Sequence, residues 1–254
     1  MADSVQIARR ALALVDLTNL DDACTTEAVR QLCTRAVGPH GAVAAVCVWP
    51  RFVAEAAAAL AGSGVRVATV VNFPGGGDDV AATVAETVQA LADGADEIDL
   101  VLPYQAFLDG RVDVAAGMVD AVRAAVPAPH RLKVILETGG YPSIEAVSAA
   151  ARLAIDHGAD FVKTSTGKTA ASASPAAARA MLVEIRRSNR PVGLKPSGGI
   201  RSLDDAATYL GIADEEMGVQ WATARTFRFG ASGLLDALEA AIAGDAPVVS
   251  KAAY

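Results

Sequence analysis

Apolar runs rich in β-branched residues recur along the chain roughly every 30 residues, the spacing of a strand followed by a helix. Eight such runs are candidate strands: Leu12–Leu17, Val43–Trp49, Arg66–Val71, Glu97–Leu102, Leu132–Glu137, Phe161–Ser165, Val192–Lys195 and Thr226–Phe229. Most are apolar on both faces, as strands of a parallel sheet buried under helices are. Between them the pattern changes to a helical period. Val80, Val84, Val88 and Leu91 fall at i, i+4, i+8 and i+11, which predicts one apolar helix face, with Asp78 or Asp79 as its cap. Ser174-Pro175 reads as an N-cap followed by proline at the first helical position. Ser202-Leu203-Asp204-Asp205 reads as the start of another helix in the capping-box manner. Asp93-Gly94-Ala95-Asp96 and His157-Gly158-Ala159-Asp160 repeat one joint, in which glycine stops a helix just before a strand. No linker or low-complexity stretch divides the chain. Eight evenly spaced strand–helix units predict one α/β domain over residues 1–254, a single (β/α)8 TIM barrel, with a flexible tail at about 245–254. An open doubly wound sheet is the alternative.

Composition narrows the function. The chain of 254 residues is 52% hydrophobic, only 5% aromatic, and carries a net charge of −7. A general nucleic-acid binder would be basic, so that class loses weight. Cys24, Cys33 and Cys47 lack metal or redox spacing, and three sparse cysteines fit a reducing compartment. Arg9-Arg10 precedes an apolar run that Asp16 ends after about five residues, short of the roughly 7–15 of a signal sequence. No run approaches the ~18 residues that span a membrane. The expectation is a cytoplasmic protein without membrane contact.

The chemistry gathers at the predicted strand ends: Asp16, Asn72, Asp99, Glu137, Lys163, Lys195 and Arg228. Lysine at the end of a buried strand is costly to keep charged, so its amine drifts toward the neutral, nucleophilic form. Lys163 and Lys195 both fit that description, and a second ammonium nearby would push the first further. Asp99, inside an apolar strand, requires a cationic partner. Taken singly, each of these residues is more simply structural. A carboxylate and two lysines at three strand ends point instead to Schiff-base chemistry, with the two lysines interchangeable on this ground alone. Glycine-rich loops after the last two strands, with Gly198, Gly199, Gly230 and Ser232, are suited to phosphate because backbone N–H groups can approach its oxygens. His40, His130 and His157 are isolated, so no metal site and no cofactor is expected.

These segments resemble the deoxyribose-phosphate aldolases, a family of class I aldolases. The resemblance is carried by Lys163-Thr164-Ser165-Thr166-Gly167-Lys168, Gly193-Leu194-Lys195-Pro196-Ser197-Gly198-Gly199, Asp96-Glu97-Ile98-Asp99 and Arg228-Phe229-Gly230-Ala231-Ser232, and runs from Val15 to the C-terminus. It implies that Lys163 forms the Schiff base, that Lys195 perturbs it and assists proton transfer, and that Asp99 shuttles protons. It also implies phosphate contacts at Gly167, Lys168, Gly198, Gly199, Gly230 and Ser232, and a proton-transfer role for the terminal Tyr254. The implied substrates are a sugar phosphate and small aldehydes, and a homodimer is the expected assembly. Ser197, Leu194 and Gly233 depart from the family pattern, where alanine, phenylalanine and serine are familiar. Another Schiff-base sugar-phosphate aldolase and a non-catalytic phosphosugar-binding barrel are the competing readings.

Overall fold

The computed structural model describes residues 2–246 and alternates helices and strands along the chain. Helix α1 (Ala2–Leu12) leads into β1 (Val15–Asn19), followed by α2 (Thr26–Ala36), β2 (Ala45–Val48), α3 (Val53–Ala59) and β3 (Arg66–Val71). Next come α4 (Val80–Ala92), β4 (Glu97–Val101), the short α5 (Tyr104–Leu108), α6 (Val112–Ala125) and β5 (Arg131–Ile135). The chain continues through α7 (Ile144–Asp156), β6 (Phe161–Lys163), α8 (Pro175–Ser188), β7 (Gly193–Lys195), α9 (Leu203–Met217), β8 (Phe229–Ala231) and α10 (Leu234–Ala243). Eight parallel strands form one sheet in the order β7-β6-β5-β4-β3-β2-β1-β8. Bridges Leu194–Phe227 and Ser197–Gly230 draw β7 to β8 and bring the sheet round into a nearly closed barrel. The open doubly wound alternative is thereby set aside.

The helix signals act as read. Asp79 Oδ1 accepts from Ala82 N at 2.9 Å and caps α4, and Ser174 caps α8 with Pro175 at its first position. Ser202 and Asp205 exchange hydrogen bonds in a full capping box at α9. Gly94 and Gly158 take positive φ of 104° and 98°, and each is followed by an aspartate that locks the next strand. Asp96 accepts from Val67 N at 2.9 Å and Asp160 from Leu132 N at 2.8 Å, so the repeated joint is one device used twice.

Three expectations shift. The first strand begins at Val15, because Leu12 closes α1 and Leu14 N turns back to Ala11 O. A helix end and a strand start that are both buried leave no polar residue to mark the boundary. The last strand is Phe229–Ala231, so Gly230 lies inside it and Arg228 precedes it rather than ending it. On α4, Val88 is exposed and the buried face carries Thr83, Thr87 and Ala90. The threonine hydroxyls bond back to Asp79 O and Thr83 O, which lets these side chains pack as small apolar groups.

Inside the barrel, Phe161 lies opposite Gly193 across the β6–β7 pair. A Cβ at Gly193 would enter the Phe161 ring, so the glycine is required for the aromatic to fit. Phe161 is flanked by Arg131 and Arg228, each 5.8 Å from its ring. It fills the layer beneath Lys163.

Candidate active site

Strand alternation sends residues i and i+2 to the same face. On β4 this aims Glu97 and Asp99 together into the barrel. Register sets Asp99 beside Lys133 of β5, and Lys163 of β6 beside Lys195 of β7. Asp16 enters from β1, and Arg228 from the residue before β8.

The side chains form one buried cluster centred on Asp99. Lys163 Nζ and Lys195 Nζ both donate to Asp99 Oδ2, at 2.9 and 2.8 Å, and Lys133 Nζ donates to Oδ1 at 2.7 Å. Lys195 also meets Asp16 Oδ2 at 2.5 Å. Lys133 meets Glu97 Oε2 at 2.8 Å, and Arg228 joins Glu97 to Asp16. Three carboxylates thus face three lysines and one arginine, all 3% exposed or less.

This geometry breaks the symmetry between the two candidate lysines. Lys163 has one carboxylate and lies against an ammonium; Lys195 has two carboxylates. Burial pushes the Lys163 amine below its ordinary value, Lys195 adds to that push, and Asp99 opposes it without winning. Burial acts on Lys195 too, but Asp16 and Asp99 outweigh it and hold that ammonium well above the ordinary value. Lys133 is raised in the same way by Asp99 and Glu97. Asp99 is held well below the usual carboxylate range, its burial outweighed by Lys133, Lys163 and Lys195. With Lys163 unprotonated, positive and negative charges in the cluster match. A neutral primary amine beside a fixed ammonium and a carboxylate can attack a carbonyl, release water from the adduct and move a proton.

Asp99 is also where stability is concentrated. Asp99→Asn leaves three lysine amines around a neutral amide, and stranding buried charge in this way costs about 3–5 kcal/mol. Chemical denaturation should show a midpoint lowered accordingly; an unchanged midpoint would mean that the lysines relax to water. The pH dependence has a definite sign. Asp99, Asp16 and Glu97 all have folded pKa values below their unfolded ones, so their contribution is present above about pH 4 and is lost as pH falls through the folded values.

Above the cluster, the predicted phosphate residues gather in three adjoining loops. Gly198 lies against Gly167, with a built Cβ at Gly198 only 3.4 Å from the Gly167 Cα, and Gly198 N–H reaches Gly230 O at 3.4 Å. Gly198 and Gly199 both take positive φ. Gly230 does not offer its N–H outward, because that group donates to Pro196 O at 2.9 Å. Its need is for the missing side chain: a Cβ there would strike Ser197. Ser232 precedes α10, and Lys168 Nζ reaches the rim near Trp49, 5.8 Å from its ring, and Asp22, 3.5 Å away. Tyr254 and the end of the tail lie outside the described residues.

Two polar residues at strand ends have structural work. Glu137 adopts φ 59° and its carboxylate accepts from Thr166 N, Thr166 Oγ1 and Thr169 Oγ1, pinning the loop that carries Gly167 and Lys168. Asn72, at φ 55°, donates to Gly77 O and Val101 O and braces the loop after β3. The sequence reading missed Lys133. Its signal was present: a lysine between Leu132 and Val134, on a strand adjacent to the one that buries Asp99.

Comparisons with known proteins bear on the family and the fold. A family model described as DeoC/LacD family aldolase matches residues 10–238. An Agrobacterium fabrum protein named deoxyribose-phosphate aldolase is 50% identical over 250 residues, which cover 98% of this chain and 96% of that protein. A Toxoplasma gondii ME49 structure, assigned provisionally as a deoxyribose-phosphate aldolase, superposes with a TM-score of 0.88 at 28% identity, covering 98% of this chain and 100% of that one. A Coccidioides immitis structure with the same provisional assignment gives a TM-score of 0.82 at 29% identity, covering 91% and 85%. Among the described residues, no helix is long and apolar enough to cross a membrane.

Proposed function

The chain belongs to the DeoC/LacD aldolase family, and on that footing we propose that it is a class I deoxyribose-phosphate aldolase, reversibly cleaving 2-deoxy-D-ribose 5-phosphate to D-glyceraldehyde 3-phosphate and acetaldehyde. The observation that carries the mechanism is Lys163, buried with a single carboxylate beside the doubly paired Lys195.

Neutral Lys163 adds to the C1 aldehyde of the open-chain sugar. Lys195 protonates the departing hydroxyl, and loss of water gives an iminium. Asp99, through water or with Lys195, takes the proton of the C3 hydroxyl. The C2–C3 bond then breaks, its electrons pass to the iminium nitrogen, and glyceraldehyde 3-phosphate leaves behind a two-carbon enamine. Protonation of the enamine carbon and addition of one water release acetaldehyde and return the amine. The charge balance favours this course. The proton that Lys195 gives up exchanges its positive charge for that of the iminium, so the cluster stays matched. As cleavage makes the neutral enamine, the C3 hydroxyl proton passes to Lys195 or Asp99 and the match is kept. Gly167, Lys168, Gly198, Gly199 and Ser232 hold the phosphate, with Gly230 leaving room beside Ser197. We place the protein in the cytoplasm as a homodimer; a monomer in sedimentation at micromolar concentration would remove the assembly from the reading.

The test couples product and adduct. Acetaldehyde should appear on incubation with deoxyribose 5-phosphate. Borohydride added during turnover should leave a reduced adduct that peptide mass spectrometry places on Lys163. An adduct confined to Lys195 would reverse the roles, and ligand binding with no adduct would favour a non-catalytic barrel. Tyr254 is assigned the enamine protonation. Tyr254→Phe should lower kcat about tenfold to a hundredfold, in the range of a lost acid–base group, with KM little changed. Unchanged kcat would leave the tail passive.

A further inference from the structure

Beneath the lysine pair lies a layer of charge that the reaction does not touch. Arg228 Nη2 donates to Glu97 Oε1 at 2.8 Å, Nη1 to Asp16 Oδ1 at 2.5 Å, and Nε to Ala224 O at 2.6 Å. Arg228 and Glu97 are 3% and 2% exposed, so neither charge is screened by salt. A buried ion pair gives little net stability over an apolar pair of similar volume. What an apolar pair would not supply is a fixed charge beneath the amines.

We propose that Arg228 and Glu97 are positioning residues that set the proton occupancy of Lys163 from the far end of the barrel, by fixing the charge balance of the buried cluster. The inference rests on the reading of Lys163 as the Schiff-base nucleophile. Lys163 faces Asp99 from β4, Lys195 from β7 and the Cys47 thiol from β2, and behind these Lys133 of β5 pairs with Asp99 and Asp16 of β1 pairs with Lys195. Arg131, at the start of β5, lies beside the Glu97–Arg228 layer. Counted with Glu97 and Arg228, three carboxylates meet Lys133, Lys195 and Arg228, and Lys163 is the amine left to lose its proton. Remove the Glu97 charge and the balance tips positive, so Lys163 holds its proton less tightly. Remove the Arg228 charge and it tips negative, so Lys163 holds its proton more tightly. The two deletions therefore act in opposite directions.

Acetaldehyde with cyanoborohydride tests this, since acetaldehyde has no titrating group. The rate of adduct formation on Lys163 is followed against pH, and its acid limb reports the amine. Glu97→Gln should move that limb down by about one pH unit and Arg228→Met should move it up by about one. The Glu97→Gln/Arg228→Met pair and Arg228→Lys should both lie within a few tenths of a unit of the unaltered protein. Limbs that stay in place while rates fall at every pH would reduce both residues to packing and overturn the inference, as would shifts in the same direction. Should Arg228→Met fail to fold, an unmoved limb in the near-isosteric Glu97→Gln overturns it alone. An unaltered protein that forms no adduct on Lys163 would instead refute the nucleophile assignment beneath it.

Discussion

Replacing Lys195 with methionine is expected to lower the rate of aldol cleavage about a hundredfold to a thousandfold near pH 7, and to return much of it in alkaline solution. The deletion removes the ammonium that donates to Asp99 Oδ2 beside Lys163 and meets Asp16 at 2.5 Å. Asp16, Glu97 and Asp99 are then opposed by Lys133 and Arg228 alone, and Lys163 takes up a proton to fill the deficit. Its pKa rises, and each unit of rise removes about tenfold of neutral amine at a fixed lower pH. Methionine keeps most of the volume, so the loss is of charge rather than of packing. A pH–rate profile separates the causes. A limb displaced toward the ordinary lysine value supports the electrostatic account; an equal loss at every pH would mean that Lys195 acts as a proton donor only.

Lys163→Met should eliminate the reduced adduct and lower turnover by at least about ten-thousandfold, since Lys163 is the lysine of the cluster pushed below its ordinary value while Lys133 and Lys195 are raised. The same change should leave the fold as stable as before, or more stable by about 1–3 kcal/mol, because it removes a buried amine whose desolvation opposes folding and leaves the remaining charges matched. This is the opposite of the effect expected at Asp99. Calorimetry and borohydride trapping on one preparation would test both halves. Destabilisation by several kcal/mol would show that Lys163 is held as a cation in the resting protein.

The parts of the barrel that announced themselves are those where polarity changes abruptly. Strand β3 was read with the bounds it has, because Gly64 and Asn72 bracket a run rich in β-branched residues. The caps at Asp79, Ser174 and Ser202 were legible because each is a local bargain between one side chain and its own helix. β1 and β8 were displaced where that contrast failed, at a buried helix–strand junction and at a strand made of Phe-Gly-Ala. The Lys163, Lys195 and Asp99 set was legible because charge in an apolar strand is costly wherever it occurs. Which lysine is the one pushed toward neutrality was not. That depends on how many carboxylates each amine meets, and those carboxylates come from strands remote in sequence, so resemblance rather than spacing had pointed to Lys163. Lys133 was hidden for a related reason: its partner Asp99 lies 34 positions away, and only the β4–β5 register brings them together.

The left-handed turn at Glu137 acts as a clip across two neighbouring loops. Its carboxylate holds Thr166 and Thr169 on either side of Gly167 and Lys168 before any ligand arrives. On the proposed reading of this loop as a phosphate site, a phosphorylated guest meets a cradle already in shape. The disorder that a slack segment would have to surrender at docking was given up when the chain first folded, and attraction at the rim can go into grip instead of into taming a loose end.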